Sequence, residues 1–145
     1  MYIVSACLLG ENVKYSGGNN YTETVAEFLK DKEFIPVCPE TAGGLPIPRL
    51  PSERQGDRIV SKAGEDVTEA FLKGARRCLE KVLEKAGDEE IEGAILKARS
   101  PSCGSGVIYD GTFSGVKIPG DGVFAALLKE RGIEVMTELD FENAE

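Results

Sequence analysis

A chain of 145 residues with 41% hydrophobic and 29% charged residues is long enough to bury its own core and too balanced in composition to be disordered. Its net charge of −8 argues against a nucleic acid polymer as main partner, because such binding rests on phosphate neutralisation by Lys and Arg. It contains no histidine, which excludes a Ser-His-Asp triad, a Cys-His pair and any His-ligated metal.

The N-terminal run from Met1 to Gly18 lacks the basic start and extended apolar stretch of a secretory leader. No apolar stretch approaches the ~18 residues of a membrane span. No membrane association and a cytoplasmic, reducing setting are therefore expected, where cysteines serve more often as metal ligands or reactive groups than as disulfides. Tyr2–Ala6 reads as a short buried strand ending at Cys7, followed by loop with Gly17-Gly18-Asn19-Asn20 as turn residues. Asn20 and Glu23 have the spacing of a capping pair, which predicts a helix to about Lys32 with Val25, Phe28 and Leu29 inward. Phe34–Val37 is a second strand ending at Cys38, and Pro36 predicts either an edge position or a local bend there.

Residues 39–57 are dense in proline and glycine and are predicted as one long irregular loop with a functional role. Arg58–Val60 pairs briefly before a turn at Ala63-Gly64. Residues 66–86 carry an apolar stripe at helical spacing through Val67, Ala70, Phe71, Ala75, Cys78, Leu79, Val82, Leu83 and Ala86, and stop at Gly87. Ile91–Leu96 is a third strand, leading through Lys97-Ala98-Arg99 into the loop Ser100–Gly106. Val107–Tyr109, a turn at Asp110-Gly111 and a return through Thr112-Phe113 read as a hairpin. Gly120-Asp121-Gly122 opens a helix to about Arg131, and Ile133–Met136 is a fourth core strand. No repeat or linker divides the chain, so residues 1–145 are read as a single domain, with a monomer the default expectation. The alternation predicts an α/β, Rossmann-like three-layer fold with a mostly parallel central sheet and its site at the carboxyl ends of the strands.

That rule gives the cysteines their meaning. Cys78 lies on the helix stripe and reads as a small buried hydrophobe. Cys7, Cys38 and Cys103 each follow a strand, and neighbouring strands lie ~4.8 Å apart, so three thiols at one rim converge on one small object. No Cys-x-x-Cys spacing is present, which removes a zinc ribbon and a dithiol redox motif. Thiolates select zinc, copper(I) or iron–sulfur clusters. A 4Fe-4S cluster on three cysteines leaves one iron without a protein ligand, a Lewis acid suited to sulfur; a zinc on three cysteines also leaves an open position.

The segments Ser5-Ala6-Cys7-Leu8-Leu9-Gly10, Cys38-Pro39-Glu40, Gly43-Gly44-Leu45-Pro46, Arg49-Leu50-Pro51-Ser52-Glu53 and Ser100-Pro101-Ser102-Cys103-Gly104 together resemble the domain-of-unknown-function family "five-two-three", which includes the thiouracil desulfidases. The resemblance runs from Met1 to about Thr137. It implies an oxygen-sensitive 4Fe-4S cluster on Cys7, Cys38 and Cys103, and removal of sulfur from 2-thiouracil to give uracil and sulfide. It maps acid/base residues onto Glu40 and Ser100. Read from the residues themselves, Arg49 and Glu53 in the proline-rich loop, with Ser102, are candidates to bind and orient a polar substrate. In this reading Glu40 manages the proton of the water or of the ring nitrogen, while Ser100 orients first and transfers protons second. Some relatives carry an added domain linked to thiolated tRNA; 145 residues leave no such domain, which favours a small thiolated base or nucleoside. Arg49 and Glu53 have a second reading, as an ion pair that pins their loop. Lys97 and Arg99 are candidates to offset cluster charge, and Tyr15 and Tyr109 to stack on a base or simply to pack. A non-catalytic iron–sulfur or sulfur/metal carrier, and a redox protein with a Cys7–Cys38 disulfide, are the alternatives.

Overall fold

The computed structural model describes residues 1–142. The apolar run Tyr2–Ser5 is β1, and Ala6–Leu9 turns at once into a coil of 3-10 helix. Glu23–Leu29 (α1) and Phe34–Val37 (β2) follow, then Pro39–Ala42 (α2), Ser52–Gln55 (β3), Arg58–Ser61 (β4) and the long helix Thr68–Ala86 (α3). The second half comprises Gly93–Leu96 (β5), Val107–Tyr109 (β6), Lys117–Pro119 (β7), Val123–Glu130 (α4), Val135–Thr137 (β8) and Leu139–Glu142 (α5).

The central sheet has four strands in the order β2-β1-β5-β8, every neighbouring pair parallel. β5 is buried along its whole length, as expected of a strand covered on both faces. On one face Ile3, Ile35, Val37, Ala94 and Leu96 pack against Ala75, Cys78, Leu79 and Val82 of α3 and Phe124, Ala125 and Leu128 of α4. On the other, Val4 and Ile95 pack against Val25 and Leu29 of α1, with Leu8 and the half-buried Phe28 and Phe141 beside them. Alternate residues of each strand thus face opposite layers, which is the period of two acting on both sides of one sheet. β2 lies at the edge, the first of the two placements Pro36 allowed. The chain leaves β1 for β2 on one side and returns as β5 on the other, so strand order reverses between β1 and β5. Ligands of such sheets bind at that crevice, beyond the carboxyl ends.

Several local expectations are corrected. Helix α1 begins at Glu23 after Thr22, with no capping side chain, and ends at Leu29. Residues 39–57 are not one irregular loop: Pro39 sits at the first helical position of α2, where its missing N–H costs nothing. Ser52–Gln55 pairs antiparallel with β4 across the two-residue turn Gly56-Asp57. The return strand of the second hairpin is Lys117–Pro119. Thr112-Phe113 cannot serve, because Asp110 Oδ1 accepts the Thr112 N–H (2.9 Å) and Phe113 has φ +57°. On α3, Leu83 is 39% exposed and stands off the buried face. Helix α5 had no signal.

Helices α2 and α3 touch backbone to backbone. A Cβ on Gly74 would lie 1.7 Å from the Pro39 carbonyl oxygen, and one on Gly43 would lie 1.9 Å from that of Ala70. Gly→Ala inside a helix normally stabilises; here the sign reverses. Gly74→Ala is expected to cost about 1–3 kcal/mol in a denaturant titration, the range of overpacked cores. It also displaces α2, which positions Cys38 and Glu40.

Candidate cluster and substrate cavity

Beyond the carboxyl ends of β1, β2 and β5 lies a cavity of about 490 Å³, within the size range of small-molecule sites. Cys7, Cys38, Cys103, Glu40, Ser100, Arg49, Glu53 and Ser102 all line it. So do Lys14, Lys62, Lys97 and Arg99, a local excess of cations in an acidic chain. All four cysteines are free thiols.

Each ligand candidate has its own support. Cys7 is the second residue of the 3-10 coil after β1. The Asn20 N–H donates to the Cys7 carbonyl at 2.9 Å, so Asn20 serves this site and not the cap of α1. Cys38 ends β2, and the Thr41 hydroxyl donates to its carbonyl at 3.2 Å. Cys103 is carried by the loop between β5 and β6. The carbonyls of Pro101, Ser102 and Gly104 accept the N–H groups of Val123, Phe124 and Gly122 at 2.8–3.0 Å. The N-terminus of α4 thus finds its missing partners in the loop that holds Cys103. Gly122 is required there, since a Cβ would meet Ser102 backbone at 2.4 Å.

Burial pushes the Cys7 thiol up from its ordinary value, against a hydrogen bond from Asn20 and with the neighbouring Cys38 adding to the shift. Burial pushes the Cys103 thiol up further, against hydrogen bonds from Ser5 and Ser102 and with Cys7 adding to it. Adjacent buried thiols hold their protons until a cationic centre takes their place, and binding then releases those protons. Among the described residues no three Cys, Asp or Glu side chains are grouped closely enough to hold a single metal ion. Three soft thiol donors on the walls of a cation-lined cavity are the donor chemistry that an iron–sulfur cluster takes.

Beside the thiols runs a polar chain. Arg49 Nε donates to Glu40 Oε1 at 3.1 Å, and Ser102 Oγ donates to Glu40 Oε2 at 3.0 Å. Ser102 and Ser100 hydroxyls stand 2.9 Å apart. Ser100 Oγ accepts N–H bonds from Ser102 (3.1 Å) and Cys103 (3.0 Å), so its own proton points to Ser102. Ser102 in turn commits its proton to the carboxylate. Ser102 is only 2% exposed and links Glu40 to Ser100 at the cavity wall. The Arg49–Glu53 ion pair is absent, since Arg49 is engaged by Glu40 and by the carbonyls of Val13 and Pro46. Glu53 accepts backbone N–H groups of Gly111 and Phe113 instead.

Residues that sequence reading missed support the cavity: Ser5 lines it, and Glu138 stands against Lys97, which lines it. Glu138, just after β8 and 4% exposed, accepts from Lys97 Nζ at 2.6 Å and from the Ala98 N–H at 2.7 Å. It fixes the Lys97 ammonium group, 41 residues away in sequence, near Cys7, which no local pattern announces. Ser5 Oγ accepts the Lys97 N–H at 2.9 Å. Glu138→Ala strands a buried N–H and a lysine, with an expected loss of about 3 kcal/mol in a denaturant titration. Glu138→Gln keeps one acceptor, and its expected loss is smaller.

Comparison with known proteins places this geometry in context. The model of the 2-thiouracil desulfurase family matches residues 2–140. YbbK, an uncharacterized protein of Bacillus subtilis (strain 168), is 43% identical over 148 residues, covering 95% of each chain. The solved structure of a 4Fe-4S-dependent thiouracil desulfidase, TudS, superposes with a TM-score of 0.87 at 43% identity, covering 97% of this chain and 92% of that one.

Proposed function

The chain belongs to the 2-thiouracil desulfurase family, and we propose that it is a desulfidase that hydrolyses the C–S bond of a small thiolated base such as 2-thiouracil, giving uracil and sulfide. Cys7, Cys38 and Cys103 hold a 4Fe-4S cluster in which one iron has no protein ligand. When bound, the cluster supplies that iron as a sulfur-seeking Lewis acid.

The protein's own residues handle the protons. Water adds to the thiocarbonyl carbon and its proton passes to Glu40, whose other oxygen is held by Arg49. The Ser102–Ser100 chain extends from the carboxylate oxygen Oε2. Once Glu40 is protonated, the two hydroxyls reverse their donation and pass a proton outward at Ser100. The proton then goes to the sulfur; the C–S bond breaks as the added oxygen gives its remaining proton to Glu40 and becomes the carbonyl, so one water is consumed, sulfide leaves with the protons that water brought and no electrons are exchanged. General acid–base help of this kind contributes about 10²–10⁴-fold. Every group comes from one chain, so a monomer suffices, and the free thiols suit a reducing, cytoplasmic setting.

The observation that carries this reading is the shared cavity: three thiols on its walls and a carboxylate–hydroxyl chain beside them. Protein reconstituted without oxygen and given 2-thiouracil is expected to release sulfide and uracil in equal amounts with no added reductant. A loaded cluster with no turnover on any thiolated base is the result for a carrier. A Cys7–Cys38 crosslink in non-reducing peptide mapping of active protein is the result for a redox thiol protein.

A further inference from the structure

The loop 110–116, between β6 and β7, is built at some expense to hold one aromatic ring. Phe113 lines the same cavity as the three cysteines, Glu40 and Ser100. Its φ is +57°, a left-handed conformation that is an outlier for a bulky side chain. Such strain persists only where surrounding structure imposes it, and it concentrates at functional sites.

The imposing contacts are specific. Glu53 Oε1 accepts the N–H of Gly111 at 3.0 Å and that of Phe113 at 3.1 Å. Gln55 Nε2 donates to the Gly111 carbonyl at 2.9 Å. Gly111 has φ +96°, and a Cβ there would lie 2.6 Å from the Arg54 carbonyl oxygen. The loop is thereby stitched to β3. Core packing does not repay the strain, since Phe113 belongs to neither hydrophobic core and is only half-buried.

We infer that Phe113 is the wall on which the flat ring of the substrate stacks, with Glu53 as its positioning residue. The inference rests on the reading of this cavity as a thiolated-base site, and it narrows the substrate class. A heteroaromatic thiocarbonyl presents a π face to the ring, while a small non-aromatic one such as thiourea presents none. Base–aromatic stacking is largely indifferent to the ring's substituents, so the wall selects for a planar base without fixing which one.

The test compares cluster-loaded wild type, Phe113→Ala, Phe113→Gly, Phe113→Tyr and Glu53→Ala on 2-thiouracil and on thiourea. For 2-thiouracil, KM is expected to rise about tenfold in Phe113→Ala, Phe113→Gly and Glu53→Ala, and to stay within about twofold in Phe113→Tyr. Iron content stays near wild type, and the loss in kcat/KM is several-fold smaller on thiourea than on 2-thiouracil. Phe113→Gly melts about 2–4 °C above Phe113→Ala, because glycine alone adopts the loop's backbone without strain. An unchanged KM in Phe113→Ala overturns the inference. So does an equal loss on thiourea, or a Phe113→Ala variant that melts no lower than Phe113→Gly. A loaded wild type that releases no sulfide from 2-thiouracil overturns the desulfidase reading and this one together.

Discussion

Replacing Cys7, Cys38 or Cys103 singly by serine is expected to abolish the iron–sulfur absorption and the acid-labile sulfide of protein purified without oxygen, while Cys78→Ala leaves both intact. The first three thiols come from the ends of β1 and β2 and from the loop after β5, and they meet on the walls of one cavity. Iron in a cluster requires thiolate, and a hard serine oxygen at one corner does not replace it. Two remaining thiols cannot retain the cluster against chelation. Cys78 is a sterner control than a distant cysteine. It lies on the buried face of α3 beside the backbone of Cys38, and burial pushes its thiol up to about 11. It lines a second, smaller cavity behind Cys38 and does not line the first. Loss of the cluster also lowers the melting temperature, because a ligand bound only by the folded state stabilises it by mass action. Retention of full iron and sulfide in any of the three serine variants would remove that residue from the ligand set.

Glu40→Gln is expected to lower kcat for sulfide release about 10²–10⁴-fold with iron and labile sulfide unchanged. The amide keeps the shape of the carboxylate and an oxygen for Arg49. It cannot take a proton from water, and its NH₂ faces the Ser102 hydroxyl that the carboxylate now accepts from. Ser102→Ala cuts the link between Glu40 and Ser100 while leaving both reactive groups in place, and its expected loss in kcat is smaller, about tenfold to a hundredfold. Steady-state kinetics on cluster-normalised protein checks both. A Glu40→Gln enzyme within twofold of wild type would return Glu40 to a purely structural role as the partner of Arg49.

What the sequence could reveal follows from the range of the forces involved. The α3 stripe, the edge position of β2 and the parallel order depend on local periodicity and on one proline, and these were legible. So was the set of cavity residues, because Cys7, Cys38 and Cys103 each follow a strand and a parallel sheet brings strand ends together. Motif resemblance pointed to Glu40 and Ser100, and the proline-rich loop and its neighbour to Arg49, Glu53 and Ser102; the fold gathers all five at the same cavity. The partners within that set were not legible. Arg49 turns to Glu40 and leaves Glu53 to the 110–116 loop, a choice made by tertiary placement. Helix α2 exists because Gly43 and Gly74 let two backbones touch, a fact no propensity scale contains. Glu138 reaches Lys97 across the sheet, and Phe113 looked like strand because a strained left-handed aromatic has no sequence signature.

The central claim is that the three thiols grip a four-iron cluster and leave one iron facing the substrate. Mössbauer spectra of ⁵⁷Fe-loaded protein, recorded without oxygen before and after addition of 2-thiouracil, test it most directly. The account predicts that about one quarter of the iron signal shifts on addition and the rest stays in place. A spectrum in which all the iron is unmoved by substrate, or in which no four-iron signal is present, would contradict it.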